Sequence, residues 1–168
     1  MSWLNLAREF FAQLFSGPAQ TGQWRFRYEA ERQPKYKVGT TRGTFKVIDP
    51  NGKIYFQCPA ISGGGGKGFL PNGSYTASGF MPNVPDGGDS YGRLGVSFFI
   101  PITPKFPTER TLLGIHFDGG ALGTLGCIAL YPSDKVITVD ELTRARNILR
   151  DVLEKQKEIP LEVIQSGI

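Results

Sequence analysis

Gly114-Ile115-His116-Phe117-Asp118-Gly119-Gly120-Ala121-Leu122-Gly123-Thr124-Leu125-Gly126-Cys127-Ile128-Ala129-Leu130 is the stretch on which the chain is read. A strand-like apolar segment (111–117) ends at the single histidine, and a glycine-rich turn follows. The turn delivers a cysteine eleven positions after His116, at the head of a second apolar run. A thiol attacks as thiolate and needs a base within hydrogen-bond reach. A strand end for the base and a small-residue turn for the nucleophile meet that need, and glycines let backbone N–H groups face a substrate carbonyl. By themselves these residues also fit a quieter role, since lone histidines are often structural and lone cysteines often behave as small buried hydrophobes.

Upstream, the pattern is that of short strands and tight turns. Trp24, Phe26 and Tyr28 alternate with Gln23, Arg25 and Arg27, the period of a half-buried strand. Residues 43–48 and 53–58 flank Asp49-Pro50-Asn51-Gly52, which predicts a hairpin. Ile61 to Gly68 is read as a flexible loop. It is not a phosphate-binding loop, because position 61 is Ile and position 68 is Gly where that motif requires Gly and Ser or Thr. Pro71-Asn72-Gly73-Ser74-Tyr75 turns into a strand reaching about Phe80, residues 81–90 form a surface loop, and strand character resumes at 93–102.

Downstream, Thr138-Val139-Asp140-Glu141 is a capping box. Val139, Leu142, Ala145, Ile148, Leu149, Val152 and Leu153 then recur at helical spacing. Pro160 ends that segment and 161–164 reads as a closing strand. Residues 2–15 carry Trp3, Leu4, Leu6, Phe10, Phe11, Leu14 and Phe15 interrupted by Asn5, Arg8, Glu9 and Gln13, an amphipathic helix capped by Ser2. This predicts residues 1–20 as an N-terminal helix and linker, and 21–168 as one mainly β domain with a docked C-terminal helix.

Composition narrows the function. The 168 residues include 22 Gly and 12 Pro, with 19 Lys+Arg against 15 Asp+Glu. The net charge of +4 favours an anionic polymer, but Lys35, Lys37, Arg42, Lys46, Lys53, Lys67 and Arg93 are dispersed, so no nucleic-acid footprint forms. Cys58 and Cys127 make no disulfide framework, and no Cys/His cluster suggests zinc, so neither metal nor cofactor is expected. No run is apolar enough for a transmembrane segment, and no conventional secretion signal is read at the N-terminus.

Thr124-Leu125-Gly126-Cys127-Ile128, with His116 ahead of it, resembles the Ser/Thr-x-Gly-Cys-Ile/Val signature of L,D-transpeptidase-like enzymes, the YkuD-type catalytic domain. Pro71-x-Gly73-x-Tyr75 after the hairpin is similar to a second run of that family, and the resemblance covers about residues 43–165. Leu125 stands where histidine is frequent, Ala129 where arginine is common, and the loop from His116 to Cys127 is short. These features look closest to the divergent branch found among type VI secretion effectors and phage-associated proteins.

The resemblance implies an L,D-transpeptidase-like β-sandwich or barrel with one docked C-terminal helix. It implies a thiol enzyme acting on peptidoglycan tetrapeptide stems in the periplasm or cell wall, as an L,D-carboxypeptidase or L,D-transpeptidase. His116 would take the Cys127 proton, the N–H groups of Gly126 and Cys127 would hold the oxyanion, and D-alanine would leave. Either Asp118 or a backbone carbonyl, such as that of Thr124, would orient His116. Tyr75, Lys67, Tyr91 and Arg93 are candidates to line the groove and meet stem carboxylates; surface or packing roles are the alternative for each. A secretion or phage machine and an immunity-type protein would be partners. A catalytically weak cell-wall-binding module, or a structural part of a phage or secretion apparatus, is the other reading. A papain-like or NlpC/P60-like peptidase fits less well, because there the cysteine usually precedes the histidine.

Overall fold

Period-two alternation builds the domain. In β1 (Arg25–Arg32), Phe26, Tyr28 and Ala30 turn inward and are buried. Arg27 and Glu29 turn outward, where Arg27 meets Glu162 at 2.9 Å and Glu29 takes the ammonium of Lys46. In this computed structural model, residues 22–32, 39–64, 66–82, 91–119, 123–131 and 136–167 are described. The predicted N-terminal helix lies outside them.

The described strands are β1, β2 (Thr40–Ile48), β3 (Ile54–Gly64), β4 (Gly73–Ser78), β5 (Met81–Pro82), β6 (Gly92–Arg93), β7 (Val96–Pro104), β8 (Gly114–Phe117), β9 (Gly123–Leu130) and β10 (Glu158–Ser166). One helix, α1 (Val139–Lys155), precedes β10. Strands account for 54% of the described residues. Neighbours run β4-β10-β1-β2-β3-β9-β8-β7, and β7 pairs back to β4, closing an eight-stranded barrel. Closure leaves no edge in that ring. Most pairings are antiparallel, but β1–β10 and β8–β9 are parallel.

The interior is apolar and aromatic, with Phe26, Tyr28, Phe45, Phe98, Ile100, Ile115, Phe117, Ile128 and Leu130 in one cluster. Leu142, Ala145, Leu149, Val152 and Leu153 of α1 join the same cluster, which docks the helix on the barrel. The capping box forms as expected: the Thr138 hydroxyl accepts from the Glu141 N–H at 3.2 Å, and the Glu141 carboxylate accepts from the Thr138 N–H at 2.9 Å. The side chain of Gln156, just past the helix, accepts from Trp24 N–H at 2.9 Å and donates to Trp24 O at 3.0 Å, tying the helix end to the start of β1.

Three local expectations are corrected. Residues 61–64 are not loop but the end of β3, held between β2 and β9. Met81-Pro82 pair with Phe99 and Phe98 of β7 instead of lying in loop. The strand predicted from 111 begins only at Gly114, because Leu112 has φ 57° and breaks extended backbone. Among the described residues no helix is long and apolar enough to cross a membrane.

Candidate active site

His116 and Cys127 come together through register. In the parallel pair β8–β9, His116 lies opposite Ala129, and Cys127 stands two residues before Ala129. Side chains two apart share a face of a strand. Ile115, Phe117, Ile128 and Leu130 fill the interior, so His116, Cys127 and Ala129 stand together on the outer face. That face is covered: His116 and Cys127 are each only 4% exposed.

Aromatic rings and a short segment make the cover. Tyr91 meets the imidazole edge-on at 4.9 Å, and Phe99, the β7 partner of His116, stacks on it at 6.3 Å. Tyr91 and Phe99 pack on one another at 5.3 Å. Gly114 makes room for this, since a Cβ there would come 2.2 Å from the Phe99 ring. On the other side the Cys127 thiol reaches the carbonyl of Leu112 at 3.7 Å.

The imidazole Nδ1 lies 2.7 Å from the carbonyl oxygen of Phe117. A carbonyl only accepts, so Nδ1 carries the proton and Nε2 keeps its lone pair. Burial pushes the histidine pKa below its usual 6.5, opposed by the Phe117 carbonyl and then by the field of Asp118. Burial pushes the Cys127 thiol up, opposed by the Gly114 backbone. The resting pair is therefore a neutral base and a neutral thiol.

Thr124 braces the turn. Its hydroxyl donates to the Cys127 carbonyl at 2.7 Å and accepts from the Gly63 N–H at 2.9 Å, joining the end of β3 to the backbone of Cys127. Leu125 (φ 53°) and Gly126 (φ 97°) both have left-handed backbone just before Cys127. Such conformations cost free energy in a non-glycine residue and concentrate at functional sites.

The remaining residues expected at the site divide. Asp118 sits at the end of β8, its N–H donating to Leu130 O at 2.9 Å, and acts on His116 through its field, while Phe117 holds the ring. The carbonyl that meets Nδ1 belongs to Phe117 and not to Thr124. Tyr91 is against the histidine. Tyr75 is inside the barrel, 1% exposed, its hydroxyl donating to Pro71 O at 2.7 Å. Lys67 is exposed and meets the site through its carbonyl, which accepts from Arg110. Arg93 is exposed on β6. Cys58 is a free thiol inside the barrel and Cys127 a free thiol on its outer face, so no bridge joins them.

Sequence reasoning passed over Arg110, Leu112 and Phe99, which approach this face from the chain between β7 and β8 and from β7 itself. No motif marks them. Among the described residues no group of three or more His, Cys, Asp or Glu side chains comes together to hold a metal. No protein-family model, curated protein or solved structure matches the chain.

Proposed function

We propose that the chain is a cysteine-dependent acyl-transfer enzyme that cleaves or exchanges the terminal D-alanine of peptidoglycan tetrapeptide stems. One observation carries the chemistry: a histidine whose Nδ1 is held by Phe117 O stands on the same face as Cys127, one step away in register. The substrate class rests on the Thr-x-Gly-Cys-Ile resemblance. His116 Nε2 takes the thiol proton as sulfur attacks the carbonyl of the L-configured third stem residue. The N–H groups of Gly126 and Cys127 are assigned to the tetrahedral oxyanion. As it collapses, the proton passes from His116 to the nitrogen of departing D-alanine and a thioester remains on Cys127. Water then gives carboxypeptidase action, and an amine gives exchange or a cross-link. The proposed place of action is the periplasm or cell wall, with delivery by a secretion or phage machine and an immunity-type protein as inhibitor.

A second reading, a wall-binding module that does not turn its ligand over, draws on the burial of the thiol and its raised pKa. Mass spectrometry of disaccharide-tetrapeptide incubated with the protein separates the two. Loss of one alanine, or its replacement by an added D-amino acid, supports the enzyme. An unchanged muropeptide that nonetheless retains the protein on a column supports the module.

A further inference from the structure

Arg110 lies in the connection between β7 and β8, two residues before Leu112, whose carbonyl receives the Cys127 thiol at 3.7 Å. Its Nη2 donates to the carbonyl of Lys67. Its Nη1 lies over Gly126, where a Cβ would approach that nitrogen to 2.5 Å. Nη1 is buried and has no hydrogen-bond partner. None of the ion pairs among the described residues involves Arg110. Glu109 is its chain neighbour and is exposed.

A buried donor on a permanent cation costs free energy when no acceptor meets it. A guanidinium is also a planar fork of N–H groups that matches a carboxylate. Here one arm of the fork is fixed by Lys67 and the other is held unpaired against the residue that immediately precedes the nucleophile. The side chain as a whole is only partly buried, and its contact with the Lys67 carbonyl is solvent-exposed, so a carboxylate approaches the fork from that side. Gly126 is needed for this approach, because any side chain there would push the fork away.

We infer that Arg110 is the carboxylate receptor of the Cys127 site, selecting ligands with a free carboxylate one residue beyond the carbonyl under attack. This rests on the acyl transfer proposed above, and deepens it by naming the residue that recognises the carboxylate of the departing terminal residue. The assignment moves carboxylate recognition away from the ammonium of Lys67, whose contribution is the backbone carbonyl that fixes the fork.

Alkylation of Cys127 tests this without any muropeptide. Iodoacetate carries a carboxylate and iodoacetamide does not, so the ratio of their rates reports an anion receptor beside the sulfur. In Arg110→Gln that ratio should fall about tenfold relative to the unaltered protein. Arg110→Lys, which keeps the charge but not the fork, should give an intermediate ratio and serves in place of glutamine if the latter unfolds. An unchanged ratio in a folded variant overturns the inference. Should Cys127 in the unaltered protein react with neither reagent, the nucleophile assignment fails, and a measurement that needs no thiol decides the receptor. Titration with N-acetyl-D-alanine and with N-acetyl-D-alaninamide would then be followed by the amide resonances of Lys67, Gly68 and Gly126. Shifts with the carboxylate alone, lost in Arg110→Gln, uphold the receptor; equal shifts or none overturn it.

Discussion

The imidazole of His116 is held by the carbonyl of Phe117, its neighbour in the chain, at 2.7 Å. Successive residues of a strand point to opposite faces, so the Phe117 ring packs in the barrel while its backbone orients the histidine outside. Anchoring through Nδ1 leaves Nε2 as the only basic atom of the ring. His116→Gln should therefore keep the fold and lower kcat about 10²–10⁴-fold, with a smaller change in KM. Cys127→Ala should abolish D-alanine release altogether. Equal turnover in either variant, measured by muropeptide mass spectrometry, would refute the pair.

The pH dependence follows from the direction of the shifts. His116 must be neutral to act, and its folded pKa lies below 6.5, so activity should rise through a pH under 6.5 and then level off. Stability has the same sign on the acid side. Between the depressed folded value and 6.5 the unfolded chain binds the extra proton, so stability is lost as pH falls below 6.5. Denaturant titrations from pH 4 to 8 should show that slope, and His116→Gln should flatten it.

On the alkaline side Cys58 acts in the opposite sense. Burial inside the barrel raises its pKa from 9.0 to about 12. Above pH 9 the unfolded chain loses the thiol proton first, so stability falls as pH rises. Cys127, also raised by burial, adds to that loss. Cys58→Ala is expected to be less stable at pH 7 and yet to lose less on going from pH 9 to 10 than the unaltered protein does. Parallel losses in the two proteins would remove Cys58 as the cause.

The proposed function makes Thr124 a positioning residue, and that role can be separated from packing. Thr124→Val keeps the shape but leaves the Gly63 N–H without its acceptor and the Cys127 carbonyl without its donor. A cost of about 1–3 kcal/mol in stability is expected. A purely structural role would stop there. The nucleophile turn predicts in addition a fall in kcat with little change in KM, and rescue by Thr124→Ser, which restores the hydroxyl.

Gly114→Ala should disturb the site through its aromatic cover. The added methyl would run into the Phe99 ring at 2.2 Å, and Phe99 stacks on His116. About 1–3 kcal/mol of overpacking is expected, together with loss of activity. Thr138→Ala supplies the contrast, since removing the cap of α1 should cost about 1 kcal/mol and leave kcat intact. Thermal melts with parallel assays distinguish the two.

Elements whose signals lie within a few residues of one another could be read directly. The alternation of Phe26 and Tyr28, the Asp49–Gly52 turn and the Thr138–Glu141 capping box each act over a handful of positions. Their physics is local: period two, a turn stabilised by the Asp49 side chain, and a cap satisfying the first N–H groups of a helix. The pairing of His116 with Cys127 was legible for the same reason, being carried by one short segment.

Barrel closure was not local. It depends on β4 finding both β10 and β7, partners distant in sequence, and neither strand carries a mark naming the other. That closure decides which side of each strand is inside. It put Tyr75 in the core instead of in a groove, and it turned the end of a glycine-rich stretch into strand, because two neighbours were there to satisfy its backbone. Side-chain alternation within one short segment determined that an imidazole and a thiol share a face; only the packing of β7 and of the β7–β8 connection on β8 and β9 determined what covers them and which charge stands beside them.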